Sequence, residues 1–130
     1  KAHMCNSGDE TYYSVKVEYC FSGLAGINRV ALVNISLNGQ KVLALCIEPT
    51  QRFMSPTARR TIVTDIVQVA RRYRIPLRVI AFHVRQFPVD KRHHAKIERH
   101  LLAKWVQDSL TRLRCNWAIY HVSMTNIAAR

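Results

Sequence analysis

The chain has 130 residues, 48% of them apolar, with four glycines and four prolines; this excludes a disordered tail and suffices for one domain whose core needs neither disulfides nor metals. No apolar run approaches the roughly 18–20 residues of a membrane-spanning helix, and no membrane partner is expected. The formal net charge is +12, and residues 1–50 balance four basic against four acidic residues, so the whole excess lies in the remaining 80; such a one-sided field draws in polyanions.

The opening "KAHM" reads as a cloning remnant over residues 1–3, leaving 4–130 as a single globular domain. "TYYSVKVEYCF" alternates with period two: Tyr13, Val15, Val17, Tyr19 and Phe21 face the core, while Ser14, Lys16, Glu18 and Cys20 face water, as in a half-solvated strand. After the turn "SGLAG" comes "NRVALVNISLNGQKVLALCIEP", a hairpin about Asn38-Gly39, the preferred pair for a two-residue type I′ turn. That turn sets Leu37 opposite Gln40, Ile35 opposite Val42, Val33 opposite Ala44 and Ala31 opposite Cys46. Residues 42–47 are apolar on both sides, which makes this third strand interior to its sheet.

Ser55 and Pro56 start a helix as N-cap and first helical residue. Ile62, Ile66, Val69, Ala70 and Tyr73 form its core stripe, and Pro76 ends it by Arg74 or Ile75. "LRVIAFHVRQF" reads as a long strand broken by Pro88, Asp90 as the cap of a second helix running to about Arg114, and "NWAIYHVSM" as a last strand. The order is β-β-β-α-β-α-β, an α/β five-stranded mixed sheet with two crossovers and parallel neighbours. This order is similar to that of the ribonuclease-H-like fold.

On a helical wheel of the second helix, His93, Lys96, His100, Lys104, Gln107, Thr111 and Arg114 form one strip opposite a broad apolar side. Arg59, Arg60, Arg71, Arg72, Lys91 and Arg92 extend the basic surface to the ends of both helices. Phosphate contacts need cations that track a backbone and little exact spacing. The expected function is therefore nucleic-acid binding, to DNA or RNA and largely without sequence reading, as an accessory factor in replication, recombination, transfer or regulation. Trp105, Trp117 and Tyr73 fall on core positions, which favours backbone contacts over base stacking.

No cofactor is expected. His94 and Glu98 lie four apart but lack a third metal ligand, and no nucleotide-loop or nucleophile-elbow motif is present. One alternative is a metal-dependent nuclease. The ribonuclease-H-like resemblance would place its acids near Glu18, Glu48 and Asp90, with Mg²⁺ or Mn²⁺ between them. A second alternative is an interaction or inhibitor module with an acidic protein partner. Cys5, Cys20, Cys46 and Cys115 show no C-x-x-C spacing, so free thiols in a reducing, intracellular (cytoplasmic or nuclear) compartment are expected.

Overall fold

The computed structural model describes residues 2–112 and 118–123. Its centre is a four-stranded mixed sheet of order β3-β4-β5-β8, built from β3 (Ile27–Leu37), β4 (Gln40–Pro49), β5 (Leu77–Phe82) and β8 (Ile119–His121). Asn38 and Gly39 both take positive φ, 53° and 78°, and the β3–β4 register is the one that their turn demands, with Val33 opposite Ala44 and Ala31 opposite Cys46. β4 is interior, antiparallel to β3 and parallel to β5. Its run Val42–Ile47 is buried throughout because the sheet is covered on both faces.

Two apolar layers separate by strand alternation. Leu32, Leu43, Leu45, Ile47, Ile80 and Phe82 pack with Ile62, Ile66 and Ala70 of α2 (Pro56–Tyr73). Ala31, Val33, Val42, Ala44, Cys46 and Val79 pack with Leu102 and Val106 of α3 (Arg99–Thr111) on the other face. The Ser55 hydroxyl accepts the Ala58 N–H, Pro56 opens α2, and Arg74 closes it in the left-handed region at φ 56°. Gly26 is needed where the loop meets α2: its φ is 85°, and a β-carbon there would lie 2.9 Å from the Ile62 side chain. No helix among the described residues is long and apolar enough to cross a membrane.

Several expectations are corrected. The alternating segment is not one strand. Glu10–Tyr13 (β2) pairs with Met4–Ser7 (β1) in a separate ribbon, and Ser14–Cys20 is a helix, α1. Ser14, Val17 and Phe21 lie at i, i+3 and i+7 and are the buried set, whereas Val15 and Tyr19 are 66% and 79% exposed. Val17 and Phe21 satisfy both periodicities, and the polar demand of the β3 edge decides between them. Leu32 of that edge gives its N–H to the Glu18 carboxylate at 2.7 Å, and its carbonyl accepts the Ser14 hydroxyl. Asn34 completes the cover by pairing its amide with the backbone N–H and C=O of Asn6, at 2.7 and 2.8 Å. An edge closed by side chains needs no further strand.

The expected long fourth strand ends at Phe82, because the chain turns there and Phe87 folds back into the core. The last strand is antiparallel to β5 and not parallel, so only one of the two connections joins parallel neighbours. The sheet thus has four strands where five were expected, and its outer strand β8 runs opposite to the ribonuclease-H-like expectation. Tyr73, expected in the core, is 54% exposed.

The second helix begins eight residues later than Asp90 suggests, with Glu98 and not Asp90 before its first residue. Val89–Asp90 (β6) and Lys96–Ile97 (β7) form a short antiparallel ribbon, with Val89 opposite Ile97 and Asp90 opposite Lys96. Asp90 does cap, but it caps only the single 3-10 turn Lys91–His93. His94 and Ala95 then take left-handed φ of 59° and 57° and turn the chain back. Ile97 reaches the α3-side core, and the Pro88 carbonyl accepts the Glu98 N–H at 2.9 Å, which closes the ribbon.

Candidate functional site

The ribbon makes one wall of an open cleft of about 600 Å³, which also takes in His3 and the first turn of α3. Lys96, His93 and His100, expected on one helical strip, do meet here, although two of them come from the ribbon and one from the helix. All three side chains are exposed. Lys96 makes no ion pair with a described residue, so its charge is uncompensated at the rim.

The base of the cleft is held by Arg99. It is buried, and its Nε and Nη2 donate to the two carboxylate oxygens of Glu18 at 2.9 and 2.6 Å. A cation in the first turn of a helix opposes the helix dipole; the two-pronged contact with Glu18 offsets that cost. Beside it the His3 ring meets the Ser14 hydroxyl at 2.5 Å, and the His3 carbonyl accepts the Ser14 N–H at 3.0 Å. Burial, and then the field of Arg99, lower the His3 pKa and favour the neutral ring. On the rim the Asp90 carboxylate accepts from the His93 ring at 2.7 Å and from the Arg92 N–H at 3.0 Å, which together hold it below the usual carboxylate range. Glu18 and Asp90 are thus occupied, and the rim presents the exposed Lys96 ammonium and the imidazoles of His93 and His100, with the Glu98 carboxylate as one acid of the lining that makes no ion pair with a described residue. Such a rim suits a small oxyanion, a carboxylate or a phosphate.

The other expected basic residues do not converge. Arg59 is spent inside the fold, donating to the Met54 carbonyl at 2.7 Å and to the Tyr120 hydroxyl at 3.2 Å. Arg60 is exposed early in α2, and Arg71 and Arg72 lie in its last turn, where positive charge suits the dipole. Lys91 and Arg92 are exposed on the 3-10 turn. Lys104 pairs with Asp108 at 3.1 Å, and Gln107 grips the Ser36 backbone at 2.7 and 2.8 Å. Arg114, with Cys115 and Trp117, lies outside the described residues. The continuous basic strip is therefore interrupted.

The three acids of the nuclease alternative also stand apart. Glu18 binds Arg99 and the Leu32 N–H. Glu48 takes Arg29 at 2.8 Å on each oxygen, the Asn28 amide at 2.6 Å and the Phe87 N–H at 2.5 Å. Asp90 caps its own turn. No group of three or more His, Cys, Asp or Glu side chains among the described residues could hold a metal ion. Sequence reasoning missed Arg99 and the ribbon itself. One signal was available: between Val89 and Ile97, "DKRHHAK" offers only Ala95 as an apolar residue and no i, i+3/i+4 stripe.

No protein-family model matches the chain. It is 35% identical over 99 residues to olefin beta-lactone synthetase of Stenotrophomonas maltophilia, an alignment covering 75% of this chain and 17% of that protein. Among solved structures it is similar to the fatty acid AMP ligase of Legionella pneumophila, with a TM-score of 0.64 and 16% identity over 83% of this chain and 19% of that one. It also resembles the fatty acyl CoA synthetase of Mycobacterium tuberculosis, with a TM-score of 0.60 and 21% identity over 82% and 20%. An NRPS module described as adenylation, ketoreductase and pseudo Asub domains gives a TM-score of 0.68 and 18% identity over 81% and 9%. The chain shares the fold of a segment of these proteins and spans a fifth or less of each.

These likenesses overturn the nucleic-acid reading, together with its DNA or RNA partner, its nuclease alternative and its acidic-partner alternative. The fold recurs in ligases and in an adenylation module. The physical reason is that a count of basic residues does not show how many of them are already engaged.

Proposed function

We propose that this chain is the part of an adenylate-forming ligase that brings a cationic side chain to the reacting anions, and that Lys96 is that side chain. The observation that carries the reading is the 35% identity over 99 residues with a synthetase of this kind, on a fold that recurs in ligases of fatty acids. The substrate class is a carboxylic acid with ATP, in keeping with related structures described as bound to ATP or to acyl adenylate and pyrophosphate.

In adenylate formation a carboxylate oxygen attacks the α-phosphorus of ATP, and pyrophosphate leaves with the electrons of the bond that breaks. Two like-charged groups must approach, and two unit charges 4 Å apart repel by about 4 kcal/mol at an effective dielectric constant of 20. An ammonium between them removes much of that cost and is pre-placed, as electrostatic catalysis requires. Lys96 fits the role better than Lys104, which pairs with Asp108. The ribbon carries Lys96 away from the sheet, and Arg99, three residues on, anchors the base of the ribbon to α1 through Glu18. His93 and His100 offer hydrogen bonds to the same anions.

The test is a graft. The matching stretch of the Stenotrophomonas maltophilia synthetase is replaced by that of this chain, and acid-dependent pyrophosphate release from ATP is followed. The graft is expected to be active, and Lys96→Gln within it to lower the rate by about 100-fold or more, the scale for losing one transition-state contact. A Lys96→Gln graft as fast as its parent overturns the proposal.

A further inference from the structure

A second cleft lies outside the carboxyl ends of the parallel strands β4 and β5, away from the ribbon. It has a volume of about 670 Å³, with Pro49 and Thr50 on one side and Val84, Arg85 and Gln86 on the other. Crevices at this end of parallel strands are where α/β sheets take ligands, since the connecting loops diverge there. The charge balance of the cleft is distinctive. Glu48 on its wall is neutralised by Arg29 and saturated by the Asn28 amide and the Phe87 N–H. Arg52 and Arg85 line the same cleft, both exposed, and neither makes an ion pair with a described residue. The lining therefore carries two uncompensated guanidinium groups.

An adjoining hollow of about 310 Å³ shares Arg52 and Val84 with this cleft and adds Phe53 and Met54. Phe53 is 84% exposed, with the Arg52 guanidinium 5.5 Å from its ring centroid. An exposed aromatic face beside a paired-cation pocket is costly to leave in water and useful to a ligand that has both an anionic and an apolar end.

We infer that this cleft binds an organic phosphate monoester, its phosphate between Arg52 and Arg85 and its apolar or aromatic body over Phe53. Two guanidinium groups match a dianion better than a carboxylate, and near neutral pH a phosphate monoester carries about −1.5 to −2. Thr50 and Gln86 supply further polar contacts to the remaining oxygens. This site is separate from Lys96 and stands or falls apart from the proposed ligase role.

The test uses the full chain and three probes: 1-naphthyl phosphate, inorganic phosphate and 1-naphthol, each titrated while backbone amide shifts are followed by NMR. Naphthyl phosphate is expected to move the amides of residues 50–54 and 83–87, and to bind about tenfold more tightly than either fragment alone. Arg52→Gln/Arg85→Gln should weaken naphthyl phosphate at least about tenfold. Phe53→Ala should weaken naphthyl phosphate but leave inorganic phosphate unchanged, both read from the amides of residues 50–54 and 83–87. All these side chains are exposed, so the melting temperatures should match the wild type, and the comparison is made only between folded proteins. Unmoved amides at residues 50–54 and 83–87, equal binding of naphthol and naphthyl phosphate there, or undiminished affinity in the double arginine variant would each overturn the assignment.

Discussion

Arg99, the first residue of α3, holds the Glu18 carboxylate of α1 through two hydrogen bonds across 81 positions of sequence, and Glu18 in turn accepts the N–H of Leu32 on the sheet edge. One carboxylate thus ties a helix, a strand edge and the base of the Lys96 ribbon. Removing one partner leaves the other buried and unpaired, so Arg99→Met is expected to destabilise the fold by about 3–5 kcal/mol. Glu18→Gln should cost less, because its amide oxygen still accepts from Leu32. In a double-mutant cycle by urea denaturation, Glu18→Gln/Arg99→Met should lose clearly less than the sum of the single changes. Additive losses would mean that the pair is not coupled.

A second ion pair, the half-buried Arg29 with the buried Glu48, sets the acid limit of the fold. Burial pushes the Glu48 carboxyl up, but the hydrogen bonds from Arg29, the Phe87 N–H and Asn28 outweigh it and hold the group below the ordinary carboxylate range. A depressed native pKa means that the unfolded chain binds the proton more readily. The stability is therefore complete above the unfolded value, near 4.3, and is lost as pH falls through the lower native value. Glu48→Gln should be less stable at neutral pH, and its stability should fall less between about pH 4.5 and 2.5 than that of the wild type. Parallel curves in that range, measured by denaturant midpoints, would assign the acid sensitivity to other groups.

The assignment of residues 14–20 to a helix gives opposite expectations for neighbouring valines. Val15 is two-thirds exposed and Val17 is buried. Val15→Lys should change stability by no more than about 0.5 kcal/mol, while Val17→Lys buries an unpaired charge and should cost more than about 3 kcal/mol. A strand with both valines inward would be damaged equally by either change, and thermal melts of the two variants separate these cases.

How far the sequence spoke depended on how local the governing interaction was. The β3–β4 register follows from two turn residues, Asn38 and Gly39, and the start of α2 from Ser55 and Pro56. Both were legible because the deciding contacts lie within a few positions. Residues 14–20 were not, because the apolar positions of "SVKVEYCF" fit two periodicities and the choice rests on Leu32, 14 positions away from Glu18. The histidine-rich stretch misled for a related reason: Asp90 is a true cap, but of a single turn. Charge counting failed at the level of the site. Arg29, Arg59 and Arg99 are all engaged within the fold, by Glu48, by Met54 and Tyr120, and by Glu18, and none of these partners is near in sequence to Arg99 or Arg29. Lys96 and His100 stand out in the sequence, but on one helical strip, whereas the structure puts Lys96 on the ribbon and His100 on α3.

Ala95 tests whether the ribbon is held under strain. It follows His94 in the left-handed region, at φ 57°, where a β-carbon costs roughly 1–2 kcal/mol and glycine costs nothing. Part of that gain is offset by the greater freedom of glycine in the unfolded chain, so Ala95→Gly should stabilise the protein by about 0.5 kcal/mol. A loss of stability by calorimetry would show that the Ala95 methyl makes contacts worth more than the strain.

The central claim is that the positive charge of Lys96 acts on the reacting anions, and chemical rescue tests it most directly. In the graft described above, Lys96→Cys removes the ammonium, and alkylation with 2-bromoethylamine restores one on a side chain of nearly the same length. The unsubstituted graft, treated identically, controls for modification of the other thiols. Acid-dependent pyrophosphate release should fall by about 100-fold in Lys96→Cys, on the scale of one lost electrostatic contact, recover on aminoethylation and stay low after alkylation with neutral iodoacetamide. Equal rates for the aminoethylated and the neutral adducts would contradict the account.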